Sequence, residues 1–198
     1  RLHLHRNAVA NRIRGITDAS VDVAVSGLVL NFTPDPLAAL VEQSRVTVPG
    51  GAVAAYVWDY ADGMEFMRLF WDAAAELSPA SASLHEGTRF PLCRPDALAA
   101  AFGTAGLSDV DVVPIDIDTP FADFDDFWNP FLGGQGSAPT YVASLDDSAQ
   151  AALRDRLRDR VPTRADGSIA LRARAWAVRG VRSPDARVSS TLGPDLRV

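Results

Sequence analysis

Two short apolar runs separated by a helical segment constrain this chain more than any other feature. Residues 21–32 read VDVAVSGLVLNF and residues 51–58 read GAVAAYVW. Near-continuous apolar runs of this length predict strands that are buried on both faces. Between them, Leu37, Leu40 and Val41 recur at helical spacing and predict an amphipathic helix that buries these three side chains.

A strand, a helix and a second strand form one βαβ unit. Buried strands joined by a helical crossover are expected to be parallel, with a right-handed connection. The carboxyl ends of both strands then lie at one edge of the sheet, which is where ligands bind in open α/β sheets.

Periodicity predicts further helices and strands downstream. Residues 64–77, 95–105 and 145–161 have apolar residues at helical spacing, whereas residues 110–118 and 168–178 alternate between apolar and other residues. Alternation is typical of a strand with one face in water.

The strand at 110–118 has a mixed character. Val113, Ile115 and Ile117 share one face, with aspartates on the other, so the apolar face is expected to be the buried one. Pro114 has no N–H to donate to a neighbouring strand and therefore favours a position at the sheet edge.

Composition limits the class of protein and of partner. The chain has 198 residues, of which 47% are hydrophobic, enough for one packed domain. A net charge of −6 gives no basic surface for phosphates, so we expect a small-molecule partner and no nucleic acid. Cys93 is the single cysteine and is expected to pack as a small hydrophobic residue.

Nothing in the sequence predicts a membrane span or a metal site. No apolar run approaches the roughly 18 residues that a bilayer requires, and charges are scattered through residues 1–15, so we expect a cytoplasmic protein without a membrane partner. His3 and His5 have no third ligand nearby, which argues against a metal.

Three consecutive motifs carry a family resemblance. They are DASVDVAVS at 18–26, LVLNF at 28–32 and RVTVPGG at 45–51, the last just before an apolar strand. In this order they resemble class I S-adenosylmethionine (SAM)-dependent methyltransferases, most closely the type-11, ubiquinone/menaquinone-methyltransferase-like group. The resemblance runs from about residue 18 to 180. It implies a Rossmann-like α/β sheet with a terminal antiparallel strand, for which 110–118 and 168–178 are suited.

The amino-terminal part departs from the family pattern. The resemblance implies a Gly-rich loop after a first strand and acidic residues further on, and residues 1–15 contain neither. We therefore expect residues 1–180 to be a partial domain that lacks the N-terminal strands, with a disordered tail at 181–198. Such a sheet would expose one edge, through which the chain would self-associate.

The resemblance also implies a cofactor site at the end of the first strand. Family members place a residue that contacts the methionine part of SAM at the position of Ser26. Gly27 and Leu28 follow at the mouth of this cofactor site, and Asn31 lies on the loop where relatives close over the cofactor. A small residue lets the backbone approach a ligand, and a hydroxyl can bond an amino or carboxylate group. The alternative is that Ser26 is a packed small residue and Asn31 a turn former.

Residues on the following loops are candidates for binding the acceptor. Phe32, Asp59 and Tyr60 follow the two strands, and Arg89 could hold a substrate carboxylate. The alternatives are a packing role for Phe32, a solvated loop position for Asp59 and a surface position for Arg89. The aromatic cluster at 121–131 is expected to be core, although it could line a substrate pocket.

The leading hypothesis is SAM-dependent methyl transfer to a small, partly apolar acceptor. Such transfer needs alignment and a dry site more than a catalytic triad, so no catalytic residue is named. The alternative is a non-catalytic remnant or interaction module of the same fold that no longer binds SAM. A fragment of a dinucleotide-dependent oxidoreductase is a third option.

Overall fold

The chain folds into a four-stranded sheet with helices on both sides. The computed structural model describes residues 15–133 and 135–184. The strands are β1 (Val21–Gly27), β2 (Thr47–Trp58), β3 (Leu107–Phe121) and β4 (Ile169–Arg182). The helices are α1 (Pro36–Val46), α2 (Glu65–Leu77), α3 (Glu86–Arg89), α4 (Pro95–Thr104), α5 (Phe124–Trp128), α6 (Ser137–Ala143) and α7 (Asp147–Arg160). Short 3-10 turns occupy Leu30–Phe32, Pro79–Leu84 and Asn129–Leu132.

The strand order confirms the predicted α/β architecture. The strands follow one another across the sheet as β1-β2-β4-β3. β1 and β2 are parallel, and β4 runs antiparallel to both of its neighbours. The predicted antiparallel strand is therefore part of the same sheet, and β3 lies at an edge as Pro114 indicated.

Local sequence signals set the start of α1 and an irregularity near the start of β2. The Asp35 carboxylate accepts a hydrogen bond from the Ala38 N–H at 2.9 Å, which caps the helix. Gly50 has φ of +79°, and a Cβ on Gly51 would lie 2.6 Å from the Asp22 carbonyl oxygen. The Pro-Gly-Gly sequence thus lies inside the longer strand β2, at an irregularity where β1 approaches closely.

Two apolar cores flank the sheet. On one face, α1 and α4 cover the centre of β2 and β4, where Leu40, Leu98 and Phe102 pack against Val53 and Val178. The second core includes the start of β4 and side chains of α2, α5, α6 and α7. Its largest members are aromatic: Phe70, Trp71, Phe127, Trp128 and Phe131.

Much of the second sheet face is open, which corrects two expectations. Paired residues of neighbouring strands point to the same face, and the register places Val25, Tyr56, Val113 and their neighbours together. We call this surface the open face; its exposed apolar residues are Val23, Val25, Tyr56, Val113, Ile115 and Ile117. Val25 is 64% exposed and Ile115 is 46% exposed. β1 is therefore not buried on both faces, and the apolar side of β3 is exposed where it was expected to be buried.

The physical reason is the placement of the helices. α1 and α4 both pack on the opposite face, so they leave the open face without a layer above it. The prediction that α1 buries Leu37, Leu40 and Val41 is also wrong in part. Leu40 is buried as expected, but Leu37 and Val41 are exposed, while Ala39 and Gln43 are buried instead.

The predicted tail is partly structured. Val181 and Arg182 are the last two residues of β4, so order extends past residue 180. The Arg182 guanidinium is buried and donates from Nη1 to the carbonyl oxygens of Arg45 and Thr47. Residues 1–14 and 185–198, which include the rest of that tail, lie outside the described residues.

We expect the chain to self-associate through the open face and the adjoining edge of β1. Contiguous exposed apolar surface favours association, and so does a strand edge such as that of β1, which pairs with no strand of the described residues other than β2. Val25→Lys should shift the distribution toward monomer, because a charge would have to be desolvated at the contact. Sedimentation velocity over a range of concentrations measures this shift. Leu77→Lys is the matched control, since Leu77 is also exposed but lies at the end of α2; equal effects of both variants would contradict the expectation.

Candidate functional site

The predicted site residues follow the two parallel strands at their carboxyl ends. Gly27 at the end of β1 pairs with Tyr56 near the end of β2. The Leu28 N–H donates to the Tyr56 carbonyl oxygen at 2.8 Å, which ties the chain leaving β1 to β2. The segment 28–32 and the segment after Trp58 therefore lie at the same edge of the sheet, as the βαβ prediction requires.

Two buried polar groups at this edge have no partner within the described residues. They are the Ser26 hydroxyl and the Asn31 amide nitrogen, in residues that are 5% and 9% exposed. Leaving a buried donor or acceptor unpaired costs about 1–3 kcal/mol. A ligand that paired with both groups would remove this cost. The ammonium and carboxylate of a methionine moiety are groups of that kind, so this pair fits the methionine end of SAM.

Gly27 and Leu28 shape the backbone between these groups. A Cβ on Gly27 would lie 2.3 Å from the Tyr56 hydroxyl oxygen, so a side chain at this position would displace the Tyr56 ring. Leu28 has φ of +55°, a left-handed conformation that is uncommon for a residue other than glycine. Strained backbone of this kind is often found at ligand sites.

An aromatic pocket of about 410 Å³ lies beside this edge. Three of the four predicted acceptor-binding residues, Phe32, Tyr60 and Arg89, line it. Further aromatic lining comes from Trp58, Phe66, Phe90 and Phe131. The rings contact one another, with centroid separations of 5.0 Å for Phe32 and Phe90 and 5.6 Å for Tyr60 and Phe90.

The pocket contains one buried carboxylate, that of Glu86. This residue is 6% exposed, and its Oε2 accepts a hydrogen bond from the Trp71 indole N–H at 2.5 Å. Burial raises the pKa of Tyr60 to about 12, with smaller contributions from Cys93 and Glu86. The Tyr60 phenol therefore stays protonated at neutral pH and is available as a hydrogen-bond donor.

Arg89 lies at the rim of the pocket and is exposed. Its Nη1 donates to the Ser137 hydroxyl at 2.7 Å, and its guanidinium carbon lies 5.4 Å from the centre of the Phe90 ring. These contacts hold the guanidinium against α6 and an aromatic ring. The Ser137 contact links the rim of the pocket to a segment 48 residues further along the chain.

Asp59 does not line the pocket. It is buried, in contrast to the solvated position weighed for it, and its Oδ1 accepts a hydrogen bond from the Asp62 N–H at 3.2 Å. Its backbone also binds the Met64 N–H and the Arg174 carbonyl oxygen. Asp59 thus stabilises the turn that leads from β2 to α2, and Tyr60 next to it is the residue that reaches the pocket.

Sequence reasoning missed Glu86 and the contribution of α2. Glu86 lies three residues before Arg89, which was a candidate, and it is buried where it contacts Trp71, fifteen residues earlier in the chain. Of the aromatic cluster at 121–131, Phe131 belongs to the core and also lines the pocket, so both interpretations apply to it.

Cys93 is 1% exposed, and burial raises the pKa of its thiol to about 12, with a smaller contribution from the charge of Asp59. We expect it to react with a disulfide reagent such as DTNB at pH 8 far more slowly than a free thiol, because the thiolate is the nucleophile. Absorbance at 412 nm measures the reaction. Denaturant should restore full reactivity, and a prompt reaction of the native protein would contradict this placement.

Two general features of the described structure bear on ligands. Within residues 15–133 and 135–184, no three histidine, cysteine or acidic side chains are grouped so that they could hold a metal ion. His3 and His5 lie outside this part of the chain. Over the same described residues, no helix has both the length and the apolar character needed to cross a bilayer.

Comparison with known families finds one match in the amino-terminal part of the chain. Residues 4–55 match the family model described as a methyltransferase domain. This match confirms the resemblance to SAM-dependent methyltransferases of the type-11 group. The matched residues begin before residue 18, where the quoted motifs begin, and cover about a quarter of the chain. No curated protein matches the sequence.

Solved structures with a similar arrangement are distant in sequence. The YcgJ protein of Bacillus subtilis is 15% identical, with 85% of this chain and 67% of that chain covered and a TM-score of 0.45. Phosphoethanolamine N-methyltransferase 2 of Haemonchus contortus is 14% identical, with 85% and 34% covered and a TM-score of 0.42. An arsenic(III) SAM methyltransferase of Chlamydomonas reinhardtii is 19% identical, with 89% and 43% covered and a TM-score of 0.43. The chain thus spans between a third and two thirds of these proteins.

Proposed function

We propose that this domain serves SAM-dependent methyl transfer to a small-molecule acceptor. One observation carries the proposal. An aromatic pocket lies at the same sheet edge as Ser26 and Asn31, whose buried polar groups have no partner among the described residues. The family match over residues 4–55 supports the same reaction class.

The residues of this chain would divide the work between cofactor and acceptor. Ser26 and Asn31 would hold the methionine end of SAM, which supplies an electrophilic methyl group on a sulfonium. Phe32 and Tyr60 would hold the acceptor and exclude water from it. Bound SAM would supply the methyl group to the acceptor atom, and the electron pair of its carbon–sulfur bond would stay on sulfur.

The test is transfer of radiolabel from [methyl-¹⁴C]SAM, at millimolar concentration, to a panel of small aromatic acceptors. Asn31→Leu should abolish transfer because it removes the amide that would bind the cofactor. Gln43→Leu is the matched control. The Gln43 amide is also buried and has no partner among the described residues, but Gln43 lies within α1. Equal loss in both variants would point to a folding defect and count against the assignment of Asn31.

A second candidate function is a non-catalytic interaction module. The open face favours it, because exposed apolar surface of this kind marks interaction sites. Absence of label transfer to every acceptor, together with tight binding of a protein partner that Val25→Lys disrupts, would support this candidate over methyl transfer.

A further inference from the structure

We propose that the acceptor is an arylalkyl amine, held with its ammonium group on Glu86 and its ring among the aromatic side chains of the pocket. The statement that this amine accepts a methyl group rests on the proposed function. The binding site itself is argued only from the pocket.

The first step is the polarity of the pocket interior. Glu86 is the acid that lines the pocket, and it is almost fully buried. One of its oxygens accepts the Trp71 N–H, and within the described residues no hydrogen bond to the other oxygen is found. A buried carboxylate is costly unless it is paired, so a cationic donor in the pocket would be favoured.

The second step is that no cationic side chain of residues 15–133 or 135–184 forms an ion pair with this carboxylate. Arg89 lies one turn further along α3, but it binds the Ser137 hydroxyl and the Phe90 ring. In the described structure Arg89 forms no ion pair with Glu86. The ligand is therefore left to provide the positive charge.

The third step is the shape and chemistry of the walls. The faces of Phe32, Tyr60, Phe90 and their neighbours attract a cation as well as an aromatic ring. A volume of about 410 Å³ is within the range of small-molecule sites. A carboxylate that holds an ammonium is also placed to accept the proton that an amine must lose before its nitrogen lone pair can attack a methyl group.

The experiment compares three probes with one phenyl ring and different charge. They are phenethylamine, 2-phenylethanol and 3-phenylpropionate, titrated calorimetrically into the full chain without SAM. We expect the amine to bind at least about 10-fold more tightly than the alcohol, as one charged hydrogen bond in a buried site allows. In Glu86→Gln this preference should disappear, whereas Asp96→Asn, an exposed acid at the start of α4, should retain it.

The outcomes separate this inference from the proposed function. Binding of the amine without any label transfer would leave the site standing and count against methyl transfer. Label transfer to phenols or carbon acceptors, without any preference for binding the amine, would support methyl transfer and contradict the amine site. Tightest binding of the propionate, with loss of that affinity in Arg89→Gln, would overturn the amine assignment in favour of a carboxylate held by Arg89. The ranking of the three probes on the unmodified chain decides the matter even if Glu86→Gln fails to fold.

Discussion

Replacing Phe70 by alanine is expected to lower the free energy of unfolding by about 3–5 kcal/mol. Phe70 is fully buried, stacks on Phe131 with ring centroids 4.5 Å apart and meets Trp71 edge to face at 5.0 Å. Removing the ring would leave a cavity between α2 and the 3-10 turn that carries Phe131. Since small domains are stable by only about 5–15 kcal/mol, this loss is a large fraction of the total.

Urea denaturation followed by tryptophan fluorescence measures the change. Phe32→Ala is the matched control, because Phe32 is 55% exposed and should cost less than about 1 kcal/mol. The pair separates an aromatic residue of the core from one that serves the pocket. A cost below about 1 kcal/mol for Phe70→Ala would show that the second core is not packed as described.

The second large effect concerns the cofactor: we expect the 198-residue chain alone to bind SAM with a dissociation constant above about 1 mM. Ser26 and Asn31 offer one hydroxyl and one amide to the methionine end. The adenine and ribose contacts that the resemblance implies come from segments outside this pair. Each missing polar contact costs on the order of 1 kcal/mol in affinity.

Isothermal titration calorimetry with SAM is the measurement. Ser26→Ala should remove any residual heat of binding, since it deletes one of the two groups available. Micromolar affinity of the 198-residue chain would mean that its residues make further contacts with the cofactor, and it would contradict this expectation.

Local sequence signals predicted the course of the backbone well. The neighbouring parallel strands β1 and β2 overlap the apolar runs at 21–32 and 51–58, although residues 30–32 form a 3-10 turn. The alternating run at 168–178 overlaps the antiparallel β4. Helix boundaries follow from capping residues such as Asp35, whose effect depends only on atoms three residues away. Gly106 has φ of +80° just after α4, in the left-handed conformation that glycine commonly adopts after a helix.

The candidate site was predicted only in part. The order of strands implies that Phe32 and Tyr60 meet at one edge, and the pocket joins them with Arg89. Glu86 could not be recognised in this way, because its burial depends on Trp71 from another helix. Asp59 was assigned to the acceptor on its position after β2, but its hydrogen bonds within the turn give it a structural role.

The sequence by itself determined the strands, the helices and their direction, because hydrophobic period, caps and glycine positions act over a few residues. Only the tertiary structure decided which surfaces are covered. Val25 and Ile115 have the apolar character of core residues, yet they are exposed because α1 and α4 pack together on the opposite face of the sheet. Glu86 has the character of a surface residue, yet it is buried where α2, α3 and the loop after β2 converge. Burial depends on contacts between segments that are distant in the chain, and no local pattern specifies those contacts.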